Sequence, residues 1–399
     1  MNDIKDALTR VADSSAPAPL ALEHVRGRAR QIRRRRTATA IVGSAAAVAA
    51  IAGLGVAVMP SGSHDDSKPP VATQTPQPSP SVAADPDAVG PVHHVKLDVP
   101  AEQTFGSEPQ VPYWSDGRII DTDGSATPFA ERPFTFAKDP ATGHWVVIYA
   151  GEANALLVRV TDAGQQVGQP VPSFDRGLAV GPRGELATIT QDNSRRILTE
   201  GDRTMDLGTL EWTQIYGVLP NGDVLFQGAE GGVMVAHLDT DQVEPVPDAA
   251  IAATSQPTGL VAYGHDDGTW DAVDPTGATH WTLDWAGVNS FSPDGRHVVL
   301  VGDRQHRIEG STDWDSQYAT STIWIRTAAD LLPVAAFVAP EGAYFWNWTW
   351  DGDDLLATVF TKETKEWSLV RLSADGFTVG RAMAQPGNGE EPAYVFAAQ

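Results

Sequence analysis

The chain has 399 residues and no cysteine, a formal net charge of −23, and 42% hydrophobic residues. This length and this hydrophobic share allow a sizeable core, in one large domain or two average ones. The absence of cysteine excludes disulfides, thiolate metal sites, a cysteine nucleophile and lipidation of an N-terminal cysteine.

The charge is divided between two unlike regions. Residues 1–36 carry nine Lys/Arg and four Asp/Glu, a net charge of +5, whereas the rest of the chain carries 19 and 47, a net charge of −28. A strongly acidic domain repels phosphate backbones, so we expect no nucleic-acid binding by the C-terminal region. We interpret residues 1–36 as a basic cytoplasmic tail.

A predicted transmembrane helix follows at residues 37–59, which contain no charged side chain. As a helix these residues span about 34 Å, enough for a hydrocarbon core of roughly 30 Å. A cleaved signal peptide is the alternative, but the 36 residues before the apolar stretch far exceed a usual n-region. Four arginines at 33–36 place the N-terminus in the cytoplasm and the C-terminal domain outside. The chain is therefore predicted to be a single-pass protein of the cell membrane.

Residues 60–92 contain eight prolines among Ser, Thr, Gln and Ala. Such a composition cannot bury a core and favours extended, polyproline-like backbone. At about 3.1 Å per residue the segment reaches roughly 100 Å. We predict an extracellular linker.

Residues 93–399 show an all-β pattern of short apolar strands separated by two interleaved series of turns. The first series lies at Gly143, Gly184, Gly222, Gly259, Gly295 and Gly352, and the second at Gly124, Gly164, Gly201, Asp241, Gly277, Ala328 and Gly376. A common spacing near 40 residues indicates four-stranded blades. One long interval in each series falls in the same unit, which predicts a single insertion near residues 303–320.

The turn series predict a seven-bladed β-propeller, with six or eight blades as alternatives. The last residues, 392–397, form a lone predicted strand with no blade of its own. Pairing of this strand with residues 111–114 completes the first blade and leaves no open edge.

Two sequence segments resemble known propeller blades. Residues 291–296 (FSPDGR), followed by the apolar residues 298–300, resemble the blade signature of TolB-like and WD40-like propellers. Residues 272–277 with Trp281 resemble the outer hairpin of quinoprotein-type blades. The whole layout resembles membrane-anchored propeller proteins of Gram-positive bacteria, a family of mostly unassigned function. The resemblance implies the fold and no particular activity.

Catalytic and metal sites have little support in the sequence. No G-x-S-x-G motif or helical domain for a triad is present, residues 373–376 lack the glycine and tryptophan of a sialidase Asp box, and a quinone cofactor would need a central tryptophan and a calcium site. Neighbouring His93 and His94 point to opposite sides of an extended chain. The segment 265–267 (HDD) is typical of an acidic turn. We therefore predict no metal and no cofactor.

The predicted insertion contains the candidate ligand-binding residues. In propellers generally, the loop between the second and third strands lies on the face of the blade-to-blade loops, where ligands usually dock. This loop offers charged and aromatic side chains that suit a partner or a sugar: Arg304, His306, Arg307, Asp313, Trp314 and Asp315. A passive insertion is the alternative.

Four aromatic residues, Tyr344, Trp346, Trp348 and Trp350, alternate along one predicted strand and are expected to face one side. They form either a stacking platform for sugars or peptides or the packing between neighbouring blades.

The sequence favours a binding or scaffolding module for an envelope protein, peptide or glycan. One alternative is an envelope enzyme that acts on glycans. Another is a transmembrane signalling protein, although the tail lacks the His/Cys zinc motif of common anti-sigma domains.

Overall fold

The computed structural model describes residues 82–83, 88, 90–98, 109–152, 154–192, 195–209, 213–228, 231–302, 320–384 and 392–398. These residues form strands, turns and connecting segments, with no helix among them. None of the described residues belongs to a helix long and apolar enough to cross a membrane. The predicted tail, transmembrane helix and most of the linker lie outside the described residues.

The strands are short and follow one another closely. The first twelve are β1 (Val82–Ala83), β2 (Val92–His94), β3 (Tyr113–Ser115), β4 (Arg118–Ile120), β5 (Ala126–Pro128), β6 (Pro133–Lys138), β7 (Trp145–Ala150), β8 (Ala155–Val160), β9 (Gln166–Val180), β10 (Leu186–Asp192), β11 (Arg195–Glu200) and β12 (Arg203–Gly208). The next eight are β13 (Ile215–Val218), β14 (Val224–Gln227), β15 (Val233–His237), β16 (Gln242–Pro245), β17 (Ala249–Ser255), β18 (Leu260–His265), β19 (Trp270–Val273) and β20 (Thr279–Leu283). The last nine are β21 (Ala286–Phe291), β22 (His297–Gly302), β23 (Thr322–Thr327), β24 (Pro333–Val338), β25 (Ala343–Asp351), β26 (Asp354–Thr361), β27 (Glu366–Ser373), β28 (Gly376–Ala384) and β29 (Tyr394–Phe396).

The described strands form six sheets. Five contain a four-strand antiparallel meander each: β29-β3-β4-β5, β13 to β16, β17 to β20, β21 to β24 and β25 to β28. The sixth has seven strands, β6 to β12, because the long strand β9 pairs with β8 through its first half and with β10 through its second half.

The sheets surround a common axis. Contacts run from strand to strand in the order β29, β6, β9, β13, β17 and β21, and β25 contacts both β23 and β29, so the contacts return to the starting sheet. This arrangement is an all-β β-propeller, as the turn spacing predicted. Each sheet packs on both faces, which explains why second strands such as β7 and β22 are apolar runs rather than alternating patterns. Large buried rings fill the wedges between sheets, among them Trp145, Trp281, Trp350 and Trp367.

The C-terminal strand closes the ring. β29 pairs antiparallel with β3, with Tyr394 opposite Ser115 and Phe396 opposite Tyr113. The Ala397 N–H donates a hydrogen bond to the Pro112 carbonyl, 3.0 Å away. The predicted pairing of the last strand with residues 111–114 is therefore confirmed. The innermost edge of the first sheet is covered by a strand from the far end of the propeller sequence.

The segment before the propeller docks onto two neighbouring sheets. β1 pairs in parallel with the outer strand β20, and β2 pairs in parallel with the outer strand β24. We call residues 88–95 the N-terminal arm. Its backbone is bonded on both sides of β2, because the Ala336 N–H donates to the Pro91 carbonyl (2.8 Å) and the Val95 N–H donates to the Val338 carbonyl (2.9 Å). The linker predicted at 60–92 and the domain predicted from residue 93 thus meet inside one strand.

The four alternating aromatic residues do not face one side, and that prediction is wrong. Phe345 pairs with Val359 and Trp348 pairs with Ala357, so β25 places two residues opposite one. This β-bulge reverses the alternation. Tyr344 and Trp346 therefore pack against the sheet that contains β29, whereas Trp348 and Trp350 pack on the opposite face of β25, towards the sheet that contains β21.

Candidate functional site

A cavity of about 450 Å³ lies along the axis of the ring and forms a central channel. Among the described residues, seven strands contribute to its lining, and we call them the innermost strands. The contributing residues include Phe134 of β6, Leu178 of β9, Tyr216 of β13, Thr254 of β17, Asn289 of β21, Trp348 of β25 and Val395 of β29. The volume falls within the roughly 300–1,000 Å³ of small-molecule sites in proteins.

Bulges in the innermost strands direct particular side chains into the channel. In each strand one residue lies between two consecutive pairs and has no partner of its own on the second strand: Phe134 in β6, Tyr216 in β13 and Asn289 in β21. All three line the channel, and Phe134 is 41% exposed although it is a large apolar residue. Bulges next to binding sites commonly re-aim a side chain in this way.

The two ends of the channel differ. Gly302, the last residue of β22, pairs with Ala286, the first residue of β21. The connection from β22 to β23 therefore leaves at the end where the innermost strands begin, which we call the loop face. The opposite end, where the innermost strands finish in Gly-containing turns, is the turn face.

The predicted ligand-binding residues of the insertion, Arg304, His306, Arg307, Asp313, Trp314 and Asp315, lie outside the described residues. The strands that flank the insertion, β22 and β23, are the second and third of their sheet, as predicted. The structure describes the C-terminal end of the insertion, at Thr320. The Thr320 N–H donates to the Phe345 carbonyl (3.0 Å), and the Phe345 N–H donates to the Thr320 carbonyl (2.9 Å). The C-terminal end of the insertion is thus attached to β25 directly beside the bulge.

Trp348 and Asn289 form a hydrogen-bonded pair at the channel wall. The indole N–H of Trp348 donates to Oδ1 of Asn289 at 2.8 Å, across the boundary between two sheets. Because Oδ1 accepts this bond, the orientation of the Asn289 amide is fixed. The Asn289 NH₂ group has no hydrogen-bond partner among the described residues. The pair therefore offers a ligand an aromatic ring beside two amide donors.

Two hydroxyl groups on the channel wall also have no protein partner in the described part of the chain. The Ser290 Oγ is buried and unpaired, and the Thr254 side chain rests against Gly217 on the neighbouring strand. A buried hydroxyl without a partner, such as that of Ser290, is uncommon and calls for a water molecule or a ligand. A hydroxyl can both donate and accept, so these groups suit a partner with the same property.

Asn347 and Tyr216 also line the channel, but their polar groups serve the fold. The Asn347 amide donates to the Tyr394 carbonyl (3.2 Å) and accepts a bond from the Thr358 hydroxyl, which ties β25 to the closing strand. The Tyr216 hydroxyl donates to the Ala250 carbonyl (3.2 Å) on the next sheet. Burial raises the pKa of the Tyr216 phenol, which stays neutral at physiological pH.

The turn-face end of the channel is crossed by a side chain. The Gln256 amide, just after β17, donates to the carbonyl of Val180 at the end of β9. The sheet that contains β13 lies between these two strands, so the Gln256 side chain spans past it near the channel axis.

No Asp, Glu, Lys, Arg or His side chain lines the channel within the described residues. This neutrality contrasts with the net charge of −28 carried by residues 37–399. A charged ligand group here would lose its hydration without gaining a partner of opposite charge. The channel is therefore suited to an uncharged ligand.

The histidines considered as metal ligands have other contacts. His265 bonds the Asp248 carbonyl (2.8 Å) and the Asp271 carboxylate (3.1 Å), and the Asp267 carboxylate accepts the Thr269 N–H (2.9 Å), so the predicted acidic turn is confirmed. His93 stacks on Phe337 with ring centroids 5.3 Å apart. The described residues contain no group of three or more His, Cys, Asp or Glu arranged to hold a metal ion.

No protein-family model matches the sequence, and no curated protein matches it. Among solved structures, the chain is similar to the β-propeller domain of Cps50 (Swd1) from Myceliophteria thermophila, with 12% identity and a TM-score of 0.43 over 68% of this chain and 96% of that one. It is also similar to TolB from Acinetobacter baumannii, with 12% identity and a TM-score of 0.34 over 72% of this chain and 66% of that one. For the dihydro-heme d1 dehydrogenase NirN in complex with DHE, the identity is 14% and the TM-score 0.46, over 80% of this chain and 79% of that one. Similarities at this level concern the course of the chain and not its function.

Proposed function

We propose that this protein is a non-catalytic binding module of the cell envelope, a seven-bladed propeller that takes an uncharged ligand in its central channel. The observation that carries the proposal is the uncharged channel wall, where bulges expose Phe134 and Asn289 and where Asn289 is bonded to Trp348. Aromatic rings next to unpaired polar groups are typical of binding sites.

The seven-blade count rests on the long strand β9. Its two halves pair with different neighbours, so the seven-stranded sheet is two four-stranded blades that share one strand. Together with the five separate meanders this makes seven blades, in keeping with the seven strand segments that line the channel.

The envelope location rests on the sequence. The uncharged residues 37–59 form the proposed membrane anchor, and the arginines at 33–36 hold the tail in the cytoplasm, as in the Gram-positive proteins that the layout resembles. The propeller then lies outside the cell. The absence of cysteine suits a domain that is stabilised by packing alone.

Binding is favoured over catalysis by the chemistry of the wall. Hydrolysis of a glycan ordinarily requires two carboxyl groups that flank the scissile bond. The described channel residues include neither a carboxylate nor a histidine. The channel therefore lacks a general acid and a general base, while it retains the groups that orient a bound molecule.

The chain has no native cysteine, so a single introduced cysteine is the only site that a maleimide label can modify. A label at a channel residue then blocks the channel. The test uses the full chain with Asn289→Cys, carrying a bulky maleimide adduct, in a detergent without a sugar headgroup. Binding to defined panels of glycans and uncharged peptides is measured by titration calorimetry. We expect at least one ligand to bind the native chain, to bind the unlabelled Asn289→Cys variant more weakly, and to be lost when that variant is labelled.

The matched control is Asn154→Cys with the same adduct, because Asn154 is an exposed amide residue on the loop face, away from the channel. It should leave binding unchanged. The proposal fails if the label at residue 289 does not reduce the binding of any ligand. The same control variant tests location, since a membrane-impermeant maleimide should label Asn154→Cys on intact cells.

A further inference from the structure

The wall of the channel offers a particular set of polar groups. Three of them have no hydrogen-bond partner among the residues that the structure describes: the Asn289 NH₂ group and the hydroxyls of Ser290 and Thr254. The first only donates hydrogen bonds, and the hydroxyls both donate and accept. A ligand that satisfies all three must itself carry several groups that donate and accept at short intervals.

The apolar part of the site includes three aromatic side chains. Trp348 is half-buried, with its indole nitrogen held by Asn289, and Phe134 and Tyr216 line the same channel. A molecule that fits this wall has a flat apolar side for an aromatic ring and a polar rim for the amide and hydroxyls. A sugar ring has this division, with C–H groups on its faces and hydroxyls around its edge.

The charge of the channel wall and the volume of the cavity restrict the class of ligand. Carboxylated or phosphorylated sugars would bring an anion into a wall without a cation, inside a strongly acidic domain. A cavity of about 450 Å³ lies towards the small end of the roughly 300–1,000 Å³ range for ligand pockets. It accommodates the end of an oligosaccharide and not a folded partner.

Resting on the proposed function, we propose that the ligand is a neutral carbohydrate whose terminal residue stacks on Trp348 and is held by the Asn289 amide and the hydroxyls of Ser290 and Thr254. The hydrogen bond from Trp348 to Asn289 positions the amide, so ring and amide act as one unit. Specificity for uncharged sugars follows from the absence of ionisable side chains on the described channel wall.

The test measures the affinity of the full chain for three probe sets. These are neutral oligosaccharides, the same oligosaccharides bearing a carboxylate or a phosphate, and uncharged peptides. We expect neutral sugars to bind most tightly. Asn289→Ala should weaken that binding about tenfold, as expected for loss of hydrogen bonds. Trp348→Ala should weaken it at least tenfold, and Trp348→Phe, which keeps a ring but releases Asn289, should have an intermediate effect.

The controls are Asn154→Ala, an exposed amide off the channel, and Leu332→Ala, which is 58% exposed. Both should leave affinity unchanged, and thermal melts verify that every variant is folded. Tighter binding of acidic sugars overturns the neutral class. Peptide binding that depends on Trp348 and Asn289, without sugar binding, overturns the carbohydrate while the proposed binding function stands. If no probe depends on these residues, both proposals fall.

Discussion

The guanidinium of Arg326 donates a hydrogen bond to the backbone carbonyl of Ala88, which lies in the N-terminal arm. Arg326 is 1% exposed, stacks on the Trp285 ring at 4.9 Å and also donates to the Leu331 carbonyl at 2.9 Å. A buried charge is tolerated only when its hydrogen bonds are made. The arm therefore supplies part of what keeps this arginine inside the sheet β21 to β24.

We expect removal of the N-terminal arm, residues 88–95, from the full chain to destabilise the propeller, and more so when Arg326 is present. The arm deletion is combined with Arg326→Met, which fills similar volume without charge. The deletion should cost about 1–3 kcal/mol less in the Met background, the range for a hydrogen bond to a charged group. Urea unfolding of the four proteins gives this coupling. Equal costs in both backgrounds would show that the arm and Arg326 are independent.

The bulge in β25 predicts different roles for two tryptophans that are two residues apart. Trp346 contacts Trp367 edge-on at 5.9 Å in the packing towards β29, whereas Trp348 lines the channel. Trp346→Ala should lower the free energy of unfolding by about 3 kcal/mol and leave ligand affinity intact. Trp348→Ala should mainly reduce affinity. Melting temperatures and titration calorimetry on both variants test this, and a shared loss of affinity would contradict the reversed alternation.

The turn between β21 and β22 predicts an acid-sensitive contribution to stability. Burial opposes ionisation of Asp294, but bonds from the Ser292 hydroxyl (2.6 Å) and from the Arg296 backbone N–H (3.0 Å) and guanidinium outweigh it and lower the Asp294 pKa to about 2. A depressed carboxylate pKa stabilises the fold above the unfolded value of 3.8, and that stabilisation is lost as the pH falls towards 2.

We therefore expect Asp294→Asn to be less stable than the unmodified chain at pH 7, with the difference shrinking between pH 4 and pH 2. Urea midpoints across this range give the measurement. Asp266→Asn, which removes an exposed carboxylate on the loop face, is the control and should keep the full acid dependence. A constant gap between Asp294→Asn and the unmodified chain at every pH would rule out this linkage.

Gly217 is required by a close approach of two innermost strands. A Cβ atom at this position would lie 2.2 Å from Oγ1 and 3.1 Å from Cβ of Thr254. Gly217→Ala should destabilise the protein by about 1–3 kcal/mol through overpacking. It should also displace the Thr254 hydroxyl and weaken ligand binding. Adding Thr254→Ala should recover part of the stability without recovering affinity, and recovery of both would show that Thr254 does not bind the ligand.

Turns were predictable because their chemistry is local. The glycines of the first turn series, such as Gly143 and Gly295, all have positive φ, and so does Asp241, the one aspartate placed in the second series. Only glycine, and to a lesser degree Asn or Asp, adopts that backbone region readily. The spacing of these residues therefore indicated the blades. It also assigned no blade to the final strand, which could then be predicted to close the ring.

The channel site was not predictable in the same way. Whether Asn289 or Trp348 reaches the channel depends on bulges, and a bulge is a relation of one strand to its neighbour rather than a property of either sequence. The alternation of Tyr344 to Trp350 indicated one shared face and was misleading for this reason. The docking of the arm also escaped prediction, because prolines around Val92 suggested a spacer. Only the sheet edge at β24 explains why the arm becomes a strand.

The pairing of β29 with β3 joins the two ends of the propeller sequence by backbone hydrogen bonds. Synthesis runs from the N-terminus, so β3 is made before most of the propeller. It has no partner on its inner edge until β29 has been made. During that interval the nascent protein exposes a strand edge and the rings that Val395 later covers. The risk of aggregation is therefore greatest before the last strand is made, and a chain that stops short of Tyr394 leaves β3 without its partner strand.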